Sequence, residues 1–275
     1  MTDRRLVPVS ATKLDVWQQC AFRFWLQYVQ KSGSRGDWAH LSMGNAVHAA
    51  LRDWFDLESP DPAAAAELVQ THWSSLGFRD EEQSGAWRSI AAGWVRDYVE
   101  QHPAPVPFSR ERTLGALGEY VTVSGRIDRI DERGAELVIV DYKTGRTVPT
   151  DDDAKVSRAL AIYALVTQRS LRRRAYEVQL HHLPSGTVAT HRHTDESLAR
   201  QMSRVDAIGR DIAVALAAGR QSDFPASPGP LCGWCDFREG CPHRAAVPAQ
   251  PPWAGLPGAP DDPDDVSSAA DSFPI

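Results

Sequence analysis

Four cysteines constrain this 275-residue chain more than any other feature. Cys232, Cys235 and Cys241 form one compact C-x-x-C-x-x-x-x-x-C segment, and Cys20 lies far upstream. If they act as one set, the chain must fold so that its two end regions meet. In a protein expected in the cytoplasm, an even cysteine count reads as a metal set more than as disulfides. Thiolates at these spacings suit a tetrahedral zinc and an iron–sulfur cluster equally. The plainer alternative makes Cys20 a buried core residue and leaves only the C-terminal three as a group.

Apolar residues make up 42% of the chain, enough for a large core. The longest uninterrupted apolar run, Ala159 to Val166, is far shorter than a membrane span needs. The N-terminus has basic residues with no apolar stretch after them, so the expected location is the cytoplasm. The net charge of −6 is uneven, because the five Asp residues from Pro248 to Ile275 are unbalanced by any Lys or Arg. The body is therefore nearly neutral, and local fields decide whether it binds nucleic acid. Only four of the 30 basic residues are Lys, which gives a lysine at a suggestive position extra weight.

Helical periodicity opens the chain: Ser10 can cap a helix carrying Leu14, Trp17, Cys20, Phe24 and Tyr28, and Ser42 opens a second that carries His48. Two further helices are expected over about 62–76 and 80–101. The period then changes to two, and residues 120–130 and 137–142 read as an antiparallel hairpin around Asp131-Glu132-Arg133-Gly134. A helix over about 152–169, strands near 175–183 and 187–193 and a helix over about 194–218 follow. This order predicts one mixed α/β domain over residues 1–247. Within it, a helical lobe spans about 49–105 and a cysteine segment at 222–243 closes on Cys20. The Pro/Gly/Asp/Ser stretch 248–275 is expected to form a disordered acidic tail. No phosphate-cradling G-x-x-x-x-G-K-[ST] loop is present in the sequence.

The hairpin carries the chemistry. Asp141 and Lys143 are two apart on a strand and project from one face, and Asp128 on the neighbouring strand can converge on them. Two carboxylates beside a lysine make a hard-oxygen site suited to Mg²⁺ or Mn²⁺ and to in-line attack at phosphorus. The bland alternative is a surface ion pair of little energetic value. Val138 to Val140 weigh against it, because they bury the strand and push Asp141 to its end.

With these residues in order, the chain resembles a RecB-like nuclease of the PD-(D/E)XK superfamily, in the branch with a C-terminal cysteine cluster that includes CRISPR-associated and AddB-type exonucleases. The matching residues are Ser10 to Leu14 with Trp17, Cys20 and Phe24; Met43 to His48; Gly125-Arg126-Ile127-Asp128; Asp141-Tyr142-Lys143-Thr144-Gly145; Tyr163; and Cys232, Cys235 and Cys241-Pro242. The resemblance implies a restriction-endonuclease-like mixed sheet flanked by helices. It also implies metal ligation by His48, Asp128, Asp141 and the Tyr142 backbone carbonyl, with Lys143 acting on the attacking water. It tips the cysteines toward a [4Fe-4S] cluster and places Tyr163 in a substrate-holding helix motif. The expected activity is metal-dependent exonuclease action on single-stranded DNA ends, with a helicase, recombination or CRISPR partner.

Two positions depart from the family pattern. The Gln expected four residues before Tyr163 is Ala159, which removes a hydrogen-bonding group from substrate handling, and the Pro usual after the first cysteine is Ala21. A rival reading keeps the fold and cluster in a DNA-binding subunit that has lost cleavage. Arg169, Arg172, Arg173 and Arg174 offer a phosphate-contacting patch in either case, or simply a solvated helix end. Ser10-x-x-Lys13 and Lys143-Thr-Gly145 also spell two marks of serine acyltransferases. That class lacks its S-D-N element here and leaves the cysteines unexplained.

Overall fold

The computed structural model describes residues 6–33, 36–58, 60–103 and 106–257. A short strand β1 (Val7–Val9) leads into helices α1 (Ala11–Gln19) and α2 (Ala21–Phe24), the latter running into a π-helical turn over Trp25–Val29. Three helices follow: α3 (Ala39–Trp54), α4 (Pro62–His72) and α5 (Glu81–Gln101). The chain then builds β2 (Ser109–Leu117), β3 (Val121–Arg133) and β4 (Glu136–Lys143). After α6 (Asp151–Val156) and α7 (Arg158–Leu171) come β5 (Arg174–His182), β6 (Thr187–Arg192) and α8 (Asp195–Ala218).

The six strands make one mixed sheet in the order β1-β3-β4-β5-β6, with β2 on the remaining edge of β3. β3 is long enough to serve three partners. β2 runs antiparallel along Thr122 to Ile130, while the opposite edge is shared by parallel β1 at Val121–Val123 and antiparallel β4 from Arg129 onward. Between those two pairings, no strand among the described residues runs alongside residues 124–128 on that edge. β4 continues parallel to β5, and β5 antiparallel to β6.

Helices cover both faces, which is why β4 reads as an unbroken apolar run rather than an alternation. Leu137 and Ile139 join the core under α1, α7 and α8, and Val138, Val140 and Tyr142 join the core under α3, α4 and α5. In β3, Val121, Val123 and Ile127 belong to the α7 side. Arg129, the next residue in that alternation, instead reaches Tyr98 and Tyr142 on the lobe side, and Ile130 returns to the α7 core. The phase of β3 thus changes at Asp128. Its partner strand is irregular at the same level, since Glu111 adopts φ +46° between the paired residues Arg110 and Arg112. Regular alternation cannot persist through a left-handed residue.

Several elements depart from the sequence expectations. The first helix is not continuous through Cys20: that residue is extended (φ −164°, ψ 107°), ends α1 and caps α2, its Sγ accepting the Arg23 N–H at 3.4 Å. The helix carrying His48 begins at Ala39, three residues before Ser42, and Trp38 offers it no side-chain cap. The Ala39 N–H instead donates to the Pro252 carbonyl at 3.0 Å. The expected helix over 152–169 is split at Ser157, whose extended backbone ends α6 and whose hydroxyl caps α7.

The expectation of an unpacked tail from residue 248 fails for residues 248–257. Leu256 is buried and Trp253 packs with it in the lobe core, the Gln250 N–H donates to Gly233 O, and Leu256 O accepts from Arg146 Nε. Two apolar side chains and these backbone partners give the segment what its composition alone did not promise. Residues 258–275 lie outside the described residues. Among the described residues, no helix is long and apolar enough to cross a membrane.

Candidate active site

β3 and β4 end their pairing at Arg129 and Val140, one residue short of Asp128 and Asp141. At that point the Asp128 Oδ2 accepts the Tyr142 N–H at 2.9 Å, so a side-chain oxygen stands where a strand carbonyl would be. The opened ladder leaves Asp128 facing α3, where His48 Nδ1 lies 3.4 Å from its Oδ1. From the other side β2 contributes Glu111. Single ligand atoms of His48, Glu111 and Asp128 lie within 4.8 Å of one another. Glu111 escapes a sequence reading, because Arg110-Glu111-Arg112 shows no burial pattern. Its usable signal is its register opposite Asp128, which requires knowing that β2 exists.

Asp141 and Lys143 lie together on β4, with Lys143 Nζ 2.7 Å from Asp141 Oδ2. Asp141 is buried, and burial raises its carboxyl above the ordinary range against the pull of Lys143, with Asp128 adding to the rise. The Asp141 charge in turn holds Lys143 above the usual lysine range despite burial. Burial also pushes Asp128 upward, but the His48 hydrogen bond and charge, the Tyr142 amide and Lys143 outweigh it and keep the acid low. His48 shows the reverse: burial favours its neutral form, and Asp128, Asp141 and Glu111 overcome this and raise it. Glu111 is raised by burial and by Asp128, with Arg126, His48 and Arg52 opposing. The three acids therefore form three acid–cation pairs, the third being Glu111 Oε2 with Arg126 Nε at 2.9 Å.

Tyr163 stands on α7 against the sheet. Its ring lies 2.5 Å from where a Cβ on Gly125 would sit, so the glycine opening Gly125-Arg126-Ile127-Asp128 is what lets the ring approach the strand. Burial raises the Tyr163 phenol, and Asp141, Asp128 and Glu111 raise it further against Arg126. Ala159 packs against the same core one turn earlier and brings no polar atom.

Behind β4, Arg129 is buried and donates to Tyr98 Oη at 3.1 Å, Tyr142 Oη at 3.2 Å and Asp131 Oδ2 at 2.6 Å. Tyr98 Oη lies 2.7 Å from His181 Nδ1, and His181 Nε2 lies 2.8 Å from Gln179 Oε1. The consistent assignment has Tyr98 donating to Nδ1 and the Nε2–H donating to Gln179. On the adjoining strand, His182 Nε2 lies 2.8 Å from the Gly145 carbonyl, tying the loop after Lys143 to β5.

The four cysteines all line one pocket, with Phe22, Leu26, Leu231, Phe237 and His243 among its other walls. Cys20 Sγ also accepts the Ser227 N–H at 3.5 Å, so the two end regions do meet. Of the arginines at the C-terminal end of α7, Arg169 in its last turn donates to Leu117 O, Arg172 takes φ +53° as the helix cap, and Arg173 pairs with Glu132 at 2.7 Å. That run serves β2, β3 and the helix terminus as well as any ligand.

No curated protein matches the chain in sequence. Among solved structures, one from Eubacterium rectale described as a "Putative exonuclease" is similar with a TM-score of 0.54. The two are 8% identical over 87% of this chain and 89% of that one, a likeness of fold alone. A second, SSO0001, scores 0.33 at 14% identity over 82% of this chain and 95% of that one, too low to carry an argument. The family model described as the PD-(D/E)XK nuclease superfamily matches residues 8–242, a span that takes in the strands bearing Asp128, Asp141 and Lys143 as well as all four cysteines, and the chain belongs to that superfamily.

Proposed function

We propose that the protein is a metal-dependent deoxyribonuclease acting as an exonuclease on single-stranded DNA ends. The observation that carries this reading is the convergence of His48, Glu111 and Asp128 on one point beside the Asp141–Lys143 pair, where the β3–β4 ladder opens. One imidazole and a set of carboxylates is the hard donor set that Mg²⁺ or Mn²⁺ takes. His48, Asp128, Asp141 and the Tyr142 carbonyl would hold the ion, with Glu111 as a further carboxylate. Bound there, the ion supplies Lewis-acid polarisation of the phosphodiester and a lowered pKa for water. Lys143 Nζ orients the attacking water, and Asp141 keeps that ammonium in place. Tyr163, packed against Gly125 near Asp128 in sequence, would hold the substrate strand.

The four cysteines are proposed to hold a [4Fe-4S] cluster that clamps the C-terminal segment to the α1–α2 junction. What supports a shared site is that all four cysteines line one pocket and that Cys20 Sγ accepts the Ser227 N–H from the C-terminal segment; a tetrahedral zinc is the alternative occupant. A cytoplasmic setting, and a helicase, recombination or CRISPR-type partner that delivers the DNA end, complete the proposal.

The test incubates the full chain with end-labelled single- and double-stranded oligonucleotides in Mg²⁺, Mn²⁺ or EDTA. Degradation only with a divalent ion, lost in Asp141→Ala and Lys143→Ala, is the expected result. DNA binding without cleavage under every metal condition would favour the cleavage-deficient subunit instead.

A further inference from the structure

We propose that Arg126 is a phosphate-binding residue that Glu111 holds out of use until a divalent ion occupies the site and releases it. The inference rests on the nuclease reading above and goes beyond it by assigning the DNA-contacting cation at the mouth of the site.

The three acid–cation pairs differ in how they can accommodate a divalent ion. His48 becomes a ligand by giving its proton to solvent, since the neutral imidazole binds metal. Lys143 is a largely covered side chain, 35% exposed, sitting on Asp141. Arg126 can do neither, because a guanidinium does not deprotonate in a protein and is not a metal ligand. Its only way to make room at Glu111 is to turn away. It is also the one of the three with space to do so: its side chain is 66% exposed, against 14% for Glu111. With its guanidinium partner largely in solvent the pair is screened and contributes little stability, so the exchange is easily made.

Position supplies the second half of the argument. Arg126 lies two residues before Asp128 and pairs across β2 with Thr113, so it sits beside the opened ladder. Its neighbour in β3, Gly125, is the residue the Tyr163 ring packs against, so Arg126 stands beside the proposed substrate-holding residue. With Glu111 engaged by the ion, the guanidinium regains two free edges of N–H donors. That fork matches the two non-bridging oxygens of a phosphodiester. A device that exposes this cation only after the ion has arrived links substrate affinity to metal occupancy.

The experiment compares the parent with Arg126→Gln and Arg126→Lys in the full chain. Mn²⁺ affinity is measured by calorimetry without DNA. Binding of a fluorescein-labelled single-stranded oligonucleotide is measured across a salt series, in Ca²⁺ and separately in EDTA. Arg126→Gln should tighten Mn²⁺ binding by about two- to fivefold, because Glu111 loses a competing partner. In Ca²⁺ it should weaken the oligonucleotide about tenfold and reduce the salt slope by about 0.7, the loss of one phosphate contact to a single strand. Arg126→Lys should keep the slope and recover part of the affinity. In EDTA parent and Arg126→Gln should bind alike. An Arg126→Gln penalty equal in Ca²⁺ and EDTA, or no change in slope in either, overturns the proposal while leaving the nuclease reading intact. Failure of the parent to bind Mn²⁺ at all overturns that reading itself.

Discussion

Asp128 accepts the backbone N–H of Tyr142 at 2.9 Å, so one carboxylate both closes the gap between β3 and β4 and faces the imidazole of His48. The two roles separate by mutation. Asp128→Asn retains an oxygen that can accept the Tyr142 amide, and should fold with a Tm close to that of the parent. Its loss of charge should weaken Mn²⁺ binding by about tenfold or more. Asp128→Leu leaves the buried amide unpaired and should cost about 1–3 kcal/mol in stability as well. Thermal melts and calorimetry on the two variants resolve the roles; equal Mn²⁺ affinity in Asp128→Asn and parent would remove Asp128 from the ligand set.

Glu111 should show a trade of stability against activity. A non-glycine residue at φ +46° carries backbone strain, and a partly covered acid beside Asp128 adds to it. Glu111→Gly should therefore stabilise the fold by about 0.4–1 kcal/mol even though it deletes a side chain. Cleavage should fall steeply in the same variant. A lowered Tm would show that the Arg126 and His48 contacts outweigh the strain.

Arg129 is a second place where stability concentrates. Removing its guanidinium strands Asp131 and withdraws a donor from two buried phenols, so Arg129→Met should cost about 3–5 kcal/mol by urea unfolding. Tyr98→Phe should cost less, about 1–3 kcal/mol, because His181 Nδ1 loses its partner while Arg129, deprived of one acceptor, keeps Tyr142 and Asp131. A near-neutral Arg129→Met would mean that the network contributes little.

Stability should fall as the solution is acidified from pH 6.5 toward 5.5. Burial first, then the charges of Arg129 and His102, push His181 down to about 3, and burial with His191 takes His193 down to about 4. Both are neutral when folded, while their unfolded counterparts take up protons below about pH 6.5. The unfolded state then binds more protons, so the stability present above pH 6.5 is lost as pH falls, at up to about 1.4 kcal/mol per pH unit for each group. His181→Gln should flatten this slope. An unchanged slope would show that His181 is charged in the folded protein.

Deleting residues 248–275 should destabilise the protein rather than trim a passive end. Leu256 and Trp253 leave the lobe core with it, and burial of one such side chain is worth about 1.5–3 kcal/mol. The Ala39 N–H and Arg146 lose their carbonyl partners at the same time. A truncated chain with the parent's Tm would show that the packed segment adds nothing.

How much the sequence reveals depends on where each residue's constraint comes from. β4 is legible because helices on both faces demand a continuous apolar run, and Asp141-Tyr142-Lys143 follows directly at its end. The capped helices α5 and α8 are legible from Asp80, Thr194 and Gly219, which act within one turn of their own helix ends. β2 is not, because an edge strand reading Ser-Arg-Glu-Arg-Thr has no buried alternation until Leu114, and Glu111 is lost with it. The start of α3 is equally hidden, since its first N–H is satisfied by Pro252 rather than by any neighbour in sequence. Periodicity puts Cys20 within a helix, because it cannot register that the thiol caps the next one.

The hydrogen bond from Ala39 to Pro252 also has a meaning in time. During synthesis the helix bearing His48 is made first, and the segment that completes its leading turn follows roughly two hundred residues later. Trp253 and Leu256, which seal the lobe over that helix, arrive in the same short stretch. A ribosome-bound intermediate would carry Asp128, Asp141 and Lys143 while the wall holding His48 was still unfinished. On the nuclease reading proposed above, the order of residues along the chain leaves that site incomplete until nearly all of the described chain has been made.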